Sequence, residues 1–269
     1  MSILDLFRLD DRVAIVTGGA KGIGLSYSMA LAEAGARVVV ADVDSDAVSD
    51  SSARLSEEFP GRILGTHLDV TERASIDAMV AATVERWGRI DILVNNAALF
   101  AVLPVRPSPW DIPEEEWDRV MSVNIRGLYA CTDACVPVMS ERGWGRVINV
   151  ASGLAFTGSP GLIHYAATKG AVVNLTRSMA PAVGAQGITV NAIAPGATDS
   201  PTVLEQRALR AASTASKQEA PPVPVGRPRI IDRPEVPDDL LGTLIYLASP
   251  ASGFVTGQTL VVNGGSYLH

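Results

Sequence analysis

The sequence has few of the residues that mark several classes of protein. Its two cysteines, Cys131 and Cys135, are too few for a disulfide framework, and none of its three histidines lies close to them in sequence. Their spacing places both cysteines on one helix face, which would suit a metal. We favour the simpler interpretation of two small buried helix residues, and we expect neither a metal site nor an oxidising compartment.

Positive charge and long apolar runs are also scarce. The formal net charge is −7 and no dense run of Lys or Arg is present, so a nucleic-acid partner is not expected. No apolar stretch reaches the roughly 18 residues that a membrane span requires, and residues 1–8 are too charged for a signal peptide. These absences predict a cytoplasmic protein with no membrane partner.

Hydrophobic patterning predicts strands that alternate with helices. A chain of 269 residues, 47% of them hydrophobic, can bury a large core as one domain. Continuously apolar strands are covered on both faces, as in a parallel sheet flanked by helices. The sequence therefore predicts one α/β domain over residues 1–269, a Rossmann-type doubly wound fold with a mainly parallel seven-stranded sheet. The predicted strands are residues 13–16, 37–42, 63–67, 92–95, 146–150, 188–193 and 260–262.

The predicted helices include residues 23–34 and 72–87, one helix on each side of Asn124, and a long helix that starts near Leu162. Pro181 falls within this last helix, where a proline should kink or end it. Two stretches lack periodicity, a proline-rich loop at 104–113 and a segment at about 199–237. Long aperiodic segments are often functional, so the second is predicted to be a substrate loop or lid.

A glycine-rich segment, 17–24, joins the first predicted strand to the first predicted helix. Residues without a Cβ atom let the chain turn tightly and approach a pyrophosphate, and the helix N-terminus favours the anion. A turn that binds nothing is the alternative, but Asp42 follows about 20 residues later, as in dinucleotide-binding sites. Asp42 would accept hydrogen bonds from ribose and repel a 2′-phosphate, which predicts NAD rather than NADP. Lys21 would act slightly in the opposite direction.

Three residues are candidates for proton transfer. Tyr165 and Lys169 are four residues apart on one face of the long predicted helix. We expect the ammonium of Lys169 to lower the pKa of Tyr165 toward the range useful for proton transfer. Ser152 follows the strand that ends at Val150, where its hydroxyl would stabilise a developing alkoxide. The alternatives are a Tyr and a Lys at the border of an amphipathic helix and a Ser that caps a turn, and His164 is interpreted as structural or substrate-facing.

Taken in their order along the chain, these motifs resemble the short-chain dehydrogenase/reductase superfamily, in its form of about this length. The resemblance extends from Val13 to Gly265, which is nearly the whole chain. Several ordered motifs are much more specific than any one of them. They are Thr17-Gly18-x-x-x-Gly22-x-Gly24, Asp69-Val70, Asn95-Asn96-Ala97, Asn124, Ser152, Tyr165-x-x-x-Lys169, Pro195-Gly196 and Asn263-Gly264-Gly265.

The resemblance implies a role for each matching residue. Tyr165 would be the acid in ketone reduction and the base in alcohol oxidation, while Ser152 holds the substrate oxygen. Lys169 would lower the pKa of Tyr165 and bind the nicotinamide ribose, and Asn124 would hold a water molecule in a proton relay. The other implied cofactor contacts are Gly18, Lys21, Gly22, Ile23 and Gly24 in the turn, Asp42 at the ribose, Asp69 and Val70 at the adenine, Asn96 and Ala97 near the ribose, and Pro195, Gly196 and Thr198 along the nicotinamide.

Some positions depart from the family pattern. Ala98 replaces a usual glycine, Ser200 replaces a common threonine, and Pro181 lies in a helix that family members often pair with a neighbouring subunit's helix. The resemblance still implies an oligomer, with a homotetramer as the expectation. An apolar substrate pocket is predicted from residues that follow cofactor or catalytic positions, namely Leu99, Phe100, Leu154, Phe156 and Leu162.

The favoured function is NAD-dependent hydride transfer between nicotinamide and a small secondary alcohol or ketone. A sugar or polyol dehydrogenase is one alternative, which would need polar groups in the pocket. A 3-oxoacyl reductase that uses NADPH is another, and it should have a basic residue in place of Asp42. A cofactor-sensing regulatory protein on the same fold is the alternative outside enzymes.

Overall fold

The computed structural model describes residues 2–104, 108–214 and 229–268. Within these residues seven parallel strands form one sheet in the order β3-β2-β1-β4-β5-β6-β7. The doubly wound prediction is confirmed, and the sheet is parallel throughout rather than mainly so. The strands are β1 Val13–Thr17, β2 Arg37–Asp42, β3 Ile63–His67, β4 Ile92–Asn95, β5 Gly145–Val150, β6 Ile188–Pro195 and β7 Thr259–Val262.

Helices pack on both faces of this sheet because the strands bury residues on both faces. Along β1, Ala14 and Val16 belong to a hydrophobic core on one face of the sheet, whereas Ile15 belongs to a second core on the other face. The described helices are α1 Gly22–Glu33, α2 Ser45–Glu58, α3 Arg73–Trp87, α4 Glu114–Met121, α5 Leu128–Ser140, α6 Leu154–Thr157, α7 Ile163–Val183, α8 Pro201–Thr214 and α9 Asp238–Ala248.

The second core contains both cysteines. Cys131 and Cys135 lie on α5, and both are free and fully buried. Burial raises the pKa of the Cys131 thiol to about 12, so this sulfur stays protonated at neutral pH. The interpretation of the pair as small core residues is confirmed. In the described part of the chain, no three His, Cys, Asp or Glu side chains cluster in a way that could hold a metal ion.

The structure adds detail to two of the predicted helices. As predicted, one helix lies on each side of Asn124, and α4 and α5 are joined by a wider π-helical turn, Ser122–Gly127, that contains it. Such turns often occur at functional sites, since they reorient one side chain without ending the helix. Pro181 does not end α7 at once, because it lies in the last turn and the helix continues to Val183.

The two predicted loops are partly described. A short 3-10 helix, Pro109–Asp111, interrupts the proline-rich loop, and α8 forms the first part of the predicted lid. Residues 105–107 of that loop and residues 215–228 of that lid lie outside the described residues. None of the helices described is both long enough and apolar enough to cross a membrane.

Candidate active site

The site lies at the carboxyl edge of the sheet, where strands β1, β4, β5 and β6 end. The order of strands reverses between β1 and β4, and doubly wound sheets bind ligands in the crevice at such a point. The glycine-rich turn follows β1, and Ser152 follows β5. The topology therefore brings the predicted cofactor turn and the predicted catalytic serine to the same edge.

The glycine-rich turn has a backbone that other residues would strain or block. Gly18 and Gly22 have φ angles of 62° and 54°, in the left-handed region that favours glycine. A Cβ atom on Gly24 would lie 1.9 Å from the carbonyl oxygen of Gly18, so the helix can begin this close to the turn only without a side chain. Lys21 precedes α1 and its side chain does not cap the helix. The first backbone N–H groups of α1 therefore fit the diphosphate of a dinucleotide.

Asn96 and Thr17 hold this turn in place. The side-chain amide of Asn96 donates hydrogen bonds to the carbonyl oxygens of Thr17, at 3.1 Å, and Gly18, at 2.9 Å. The hydroxyl oxygen of Thr17 accepts hydrogen bonds from the backbone N–H groups of Asn96 and Ala97, both at 3.1 Å. Asn96 and Ala97 thus lie against the turn, and their predicted contact with ribose stays a prediction.

Asp42 ends β2 beside the same turn. Its carboxylate accepts hydrogen bonds from the backbone N–H of Ala20, at 3.3 Å, and of Asp44, at 3.2 Å. The ammonium of Lys21 lies 2.5 Å from the carboxylate of Asp44, and this bond raises the pKa of Lys21. Lys21 is therefore paired with an acid of this chain rather than directed at the glycine turn. The end of the crevice beside β2 therefore carries more negative than positive charge.

The predicted adenine contacts, Asp69 and Val70, follow β3. One carboxylate oxygen of Asp69 accepts hydrogen bonds from the backbone N–H and the hydroxyl of Thr71, which lowers the pKa of Asp69. Val70 is buried against Gly127, where an added Cβ atom would lie 2.7 Å from the Val70 side chain. Asp69 thus stays ionised near neutral pH, with its second oxygen available to accept a further hydrogen bond.

The three catalytic candidates lie together. Tyr165 and Lys169 are both buried on α7, and the Lys169 ammonium lies 5.6 Å from the centre of the Tyr165 ring. The ammonium donates a hydrogen bond of 2.7 Å to the carbonyl oxygen of Val150, the last residue of β5. Ser152 hydrogen-bonds to Tyr165. A serine hydroxyl, a phenol and an ammonium therefore form one cluster at the end of β5.

The expected lowering of the Tyr165 pKa by Lys169 is wrong for this structure. Burial of the phenol is the largest influence and raises its pKa, while the hydrogen bond to Ser152 acts in the opposite direction. Burial also lowers the pKa of Lys169 to about 8. The physical reason is that both groups lie almost out of contact with water, which penalises the phenolate and the ammonium alike. The ground state at neutral pH is a neutral phenol.

Asn124 connects the π-helical turn to the catalytic helix. Its side chain accepts a hydrogen bond of 2.8 Å from the backbone N–H of Leu99 and donates one of 3.3 Å to the Leu99 carbonyl. It also donates to the hydroxyl of Thr168, which itself donates to the carbonyl oxygen of Tyr165. In this structure Asn124 positions the loop after β4 and the backbone of Tyr165, and its implied role in holding water stays a prediction.

Most of the predicted apolar pocket surrounds Tyr165. The Phe100 ring lies 4.8 Å from the Tyr165 ring, centre to centre, and Phe100 is 38% exposed. The cluster that buries Tyr165 includes Leu99, Leu154 and Leu162. The fifth predicted residue does not join it. Phe156 packs instead on Tyr267, with ring centres 5.7 Å apart, in a separate cluster.

His164 lies behind the site and not in it. It is almost fully buried, and its imidazole nitrogen Nε2 lies 3.1 Å from a carboxylate oxygen of Glu116 on α4. The ring of Trp117 stacks on His164 at 6.1 Å between centres. Of the two interpretations from sequence, the structural one fits this contact between α4 and α7.

Sequence reasoning missed a buried polar network beneath the site. The side-chain amide of Asn95 donates to Thr132 at 3.0 Å and to Asn149 at 2.9 Å, and the amide of Asn149 donates to Thr176 at 2.9 Å. These bonds link β4 and β5 to α5 and α7, so they fix the strand ends relative to the catalytic helix. The signal in the sequence was two asparagines inside otherwise apolar strands.

The predicted nicotinamide contacts follow β6, and here sequence reasoning also missed a residue. Thr198 is buried, as is Ser200, whose hydroxyl caps the start of α8. The carboxylate of Glu235, far along the chain, accepts hydrogen bonds from the Gly196 N–H and from the Thr198 hydroxyl. No motif pointed to Glu235, because its partners are identified only by the fold.

Comparison with known proteins agrees with this geometry. A family model described as enoyl-(acyl carrier protein) reductase matches residues 18–267. Three similar relatives each align with at least 96% of this chain and 98% of their own length. They are a (2S)-((R)-hydroxy(phenyl)methyl)succinyl-CoA dehydrogenase subunit of Thauera aromatica at 38% identity, a 3-oxoacyl-(acyl-carrier-protein) reductase of Thermotoga maritima at 35% and a galactitol 2-dehydrogenase of Agrobacterium fabrum at 37%.

A solved structure has the same architecture over its whole length. The crystal structure of a short-chain type dehydrogenase/reductase from Mycobacterium marinum matches with a TM-score of 0.86 and 32% identity, covering 100% of both chains. These matches agree with the features of the structure, which are a parallel seven-stranded sheet, a glycine-rich turn and a cluster of Ser152, Tyr165 and Lys169. Together they lead to one assignment. This chain belongs to the short-chain dehydrogenase/reductase superfamily, a family of oxidoreductases.

Proposed function

We propose that this protein is an NAD-dependent oxidoreductase that transfers a hydride between nicotinamide and a small secondary alcohol or ketone. The observation that carries the proposal is the Ser152, Tyr165 and Lys169 cluster at the end of β5. It lies at the same edge of the sheet as a glycine-rich turn that leaves the N-terminus of α1 open to a diphosphate. The described part of the 199–237 segment, next to this edge, is proposed to cover the substrate.

The preference for NAD rests on the charges around Asp42. A 2′-phosphate would lie near the carboxylate of Asp42 and would be repelled by it. Lys21 would not reverse this repulsion, because its ammonium is bound to Asp44 and the two opposite charges of that pair largely cancel. An unphosphorylated ribose, in contrast, offers hydroxyl groups that a carboxylate such as Asp42 accepts well.

The bound nicotinamide supplies or accepts the hydride, and the residues of this chain handle the proton. Burial raises the pKa of Tyr165, so the phenol is neutral at neutral pH and carries the proton that a ketone oxygen would receive. Ser152 would hold that oxygen through its hydroxyl and stabilise the developing negative charge. Lys169, whose ammonium lies 5.6 Å from the centre of the Tyr165 ring and binds the Val150 carbonyl oxygen, would bind the nicotinamide ribose.

The substrate is proposed to carry an apolar group next to the reacting carbon. Phe100, Leu99, Leu154 and Leu162 surround Tyr165, and these side chains favour a hydrocarbon over a polyol. A relative that acts on a phenyl-bearing substrate, as its name states, fits the same preference. A galactitol 2-dehydrogenase at similar identity keeps a polyol dehydrogenase as the second candidate.

A panel of secondary alcohols, polyols and ketones, assayed with NAD and NADP by the absorbance of the reduced nicotinamide, tests the proposal. We expect activity with NAD and with apolar secondary alcohols or ketones. Activity with NADP alone would overturn the cofactor assignment, and activity with polyols alone would favour the second candidate. The homotetramer expected from the family resemblance stays a prediction, which analytical ultracentrifugation tests.

Substitution of Asp42 tests the role of its carboxylate. We expect Asp42→Ala to weaken NAD binding more than NADP binding, since it removes both a ribose acceptor and a repulsive charge. Glu57→Gln, which removes an exposed charge further along α2, is the matched control and should change neither affinity. Equal losses of affinity for the two cofactors in Asp42→Ala would contradict the assignment.

A further inference from the structure

Glu235 is a buried acid on a segment that returns to the carboxyl edge of the sheet just before α9. It is only 4% exposed, in contrast to its neighbours Pro234 and Val236. Its backbone forms an isolated parallel bridge with Thr198, and its carbonyl oxygen accepts a hydrogen bond of 2.7 Å from the Asp199 N–H. The segment that carries Glu235 is thus attached to the turn after β6.

The side chain of Glu235 is directed at the same turn. One carboxylate oxygen, Oε1, accepts hydrogen bonds from the backbone N–H of Gly196, at 3.1 Å, and from the hydroxyl of Thr198, at 2.6 Å. A Cβ atom on Gly196 would lie 2.5 Å from the other oxygen, Oε2, so the carboxylate packs directly against the glycine. Oε2 has no hydrogen-bond partner within the described ranges. The guanidinium of Arg229 binds the carbonyl oxygen of Ala197 from a nearby position.

Burial of the Glu235 carboxylate reduces the stability of the folded chain unless the turn requires this acceptor. A buried carboxylate loses its hydration, and here two hydrogen bonds to Oε1 offset only part of that loss. Both of those bonds lead to Gly196 and Thr198, and among the residues that the structure describes none joins the Glu235 side chain to its own segment. An apolar side chain would pack in this place without the desolvation penalty, but it would leave the Thr198 hydroxyl without this acceptor. The Gly196 N–H, which also donates to the carbonyl oxygen of Val262 at 3.0 Å, would lose the second of its two acceptors.

We propose that Glu235 is a positioning residue for the nicotinamide half of the cofactor, which acts by fixing the conformation of the Pro195–Thr198 turn. The inference rests on the proposed function, because it takes this turn as the nicotinamide contact. Glu235 lies against the turn and holds Gly196 and Thr198 in one arrangement before any cofactor binds. A preorganised turn loses less conformational entropy on binding, so its removal weakens affinity for the nicotinamide half alone.

Two ligands separate this role from a general effect on the fold. NADH contains the nicotinamide ring and its binding is followed by its own fluorescence, whereas ADP-ribose lacks the ring and its binding is followed by calorimetry. For Glu235→Ala we expect NADH binding about tenfold weaker, as for the loss of one or two hydrogen bonds, and ADP-ribose binding within about twofold of wild type. Glu235→Gln keeps an acceptor oxygen for Gly196 and Thr198 and should restore most of the NADH affinity.

Asp238→Asn is the matched control, since it removes an exposed carboxylate three residues away and should leave both affinities unchanged. Should Glu235→Ala not fold, Thr198→Val carries the test, because it removes one of the two donors and should selectively weaken NADH. Equal losses for NADH and ADP-ribose, or no loss for NADH, would overturn the positioning role while leaving the proposed function intact. A wild-type protein that binds neither ligand would overturn the proposed function itself.

Discussion

Replacing Lys169 with methionine separates the proposed catalytic role of the ammonium from the energetic consequence of burying it. Methionine has a similar length and no charge, and position 169 is 3% exposed, so an apolar side chain fits the surroundings. We expect the variant to lose most of its activity, because no ammonium is left to bind the nicotinamide ribose. At the same time we expect its free energy of unfolding at neutral pH to be unchanged or larger.

The magnitude follows from the pKa of Lys169. Burial lowers this pKa from 10.5 to about 8, and at about 1.4 kcal/mol per pKa unit the charged form is destabilised by about 3 kcal/mol in the folded protein. The variant removes this penalty but also the hydrogen bond to Val150, worth about 1.5–3 kcal/mol for a charged donor. The net expectation at pH 7 is a gain in stability of about 0–2 kcal/mol.

The pH dependence gives a sharper test than the value at one pH. Because the unfolded chain keeps the Lys169 proton up to higher pH, it binds more protons than the folded chain between pH 8 and 10.5. The stability of wild type therefore rises through this window, whereas below pH 8 the full penalty is present. Relative to Lys169→Met, wild type should gain about 2.5 kcal/mol in unfolding free energy between pH 7 and pH 10.

Urea unfolding of both proteins at pH 7 and pH 10, followed by circular dichroism, measures this difference. A Lys169→Met protein several kcal/mol less stable than wild type at both pH values would refute the reasoning. It would mean that the ammonium stabilises the fold and that its pKa is not lowered by burial.

Three further predictions concern the turn and the proton donor. Tyr165→Phe should fold and bind NADH like wild type but lose about 10²–10⁴-fold in kcat, measured in the carbonyl-reduction assay. Because burial raises the pKa of Tyr165 and favours its protonated form, ketone reduction should persist at pH 6–7, while alcohol oxidation should become faster as pH rises, which pH–rate profiles in both directions check. Gly24→Ala places a methyl group 1.9 Å from the Gly18 carbonyl and should abolish NADH binding in a fluorescence titration. The control Gly242→Ala, on a helix with open space around it, should raise stability by about 0.5–1 kcal/mol.

The fold was largely predictable from sequence because its signals are local. Each strand is a short apolar run, and the strand, glycine turn and helix at residues 13–33 follow one another without a gap. Tyr165 and Lys169 are four residues apart, and helical geometry alone places them on one face. Asn124 was predicted as a site residue on resemblance, but the π-helical turn around it was not, because a wider turn has no local signature that separates it from an ordinary helix.

The residues missed are those whose partners lie far along the chain. Glu235 meets Gly196 across 39 residues, and Asn149 meets Asn95 across 54. Phe156 was predicted in the pocket from its closeness in sequence to Ser152, yet it packs on Tyr267 near the C-terminus.

The sequence by itself determined the order of elements, the glycine turn, the acid at Asp42 and the pairing of Tyr165 with Lys169 on one helix face. Only the tertiary structure decided the protonation of that pair, because desolvation depends on what every other element packs around a group. Spacing predicted a phenol made more acidic by its neighbour, whereas burial in the folded chain raises the pKa of the phenol and lowers that of the ammonium.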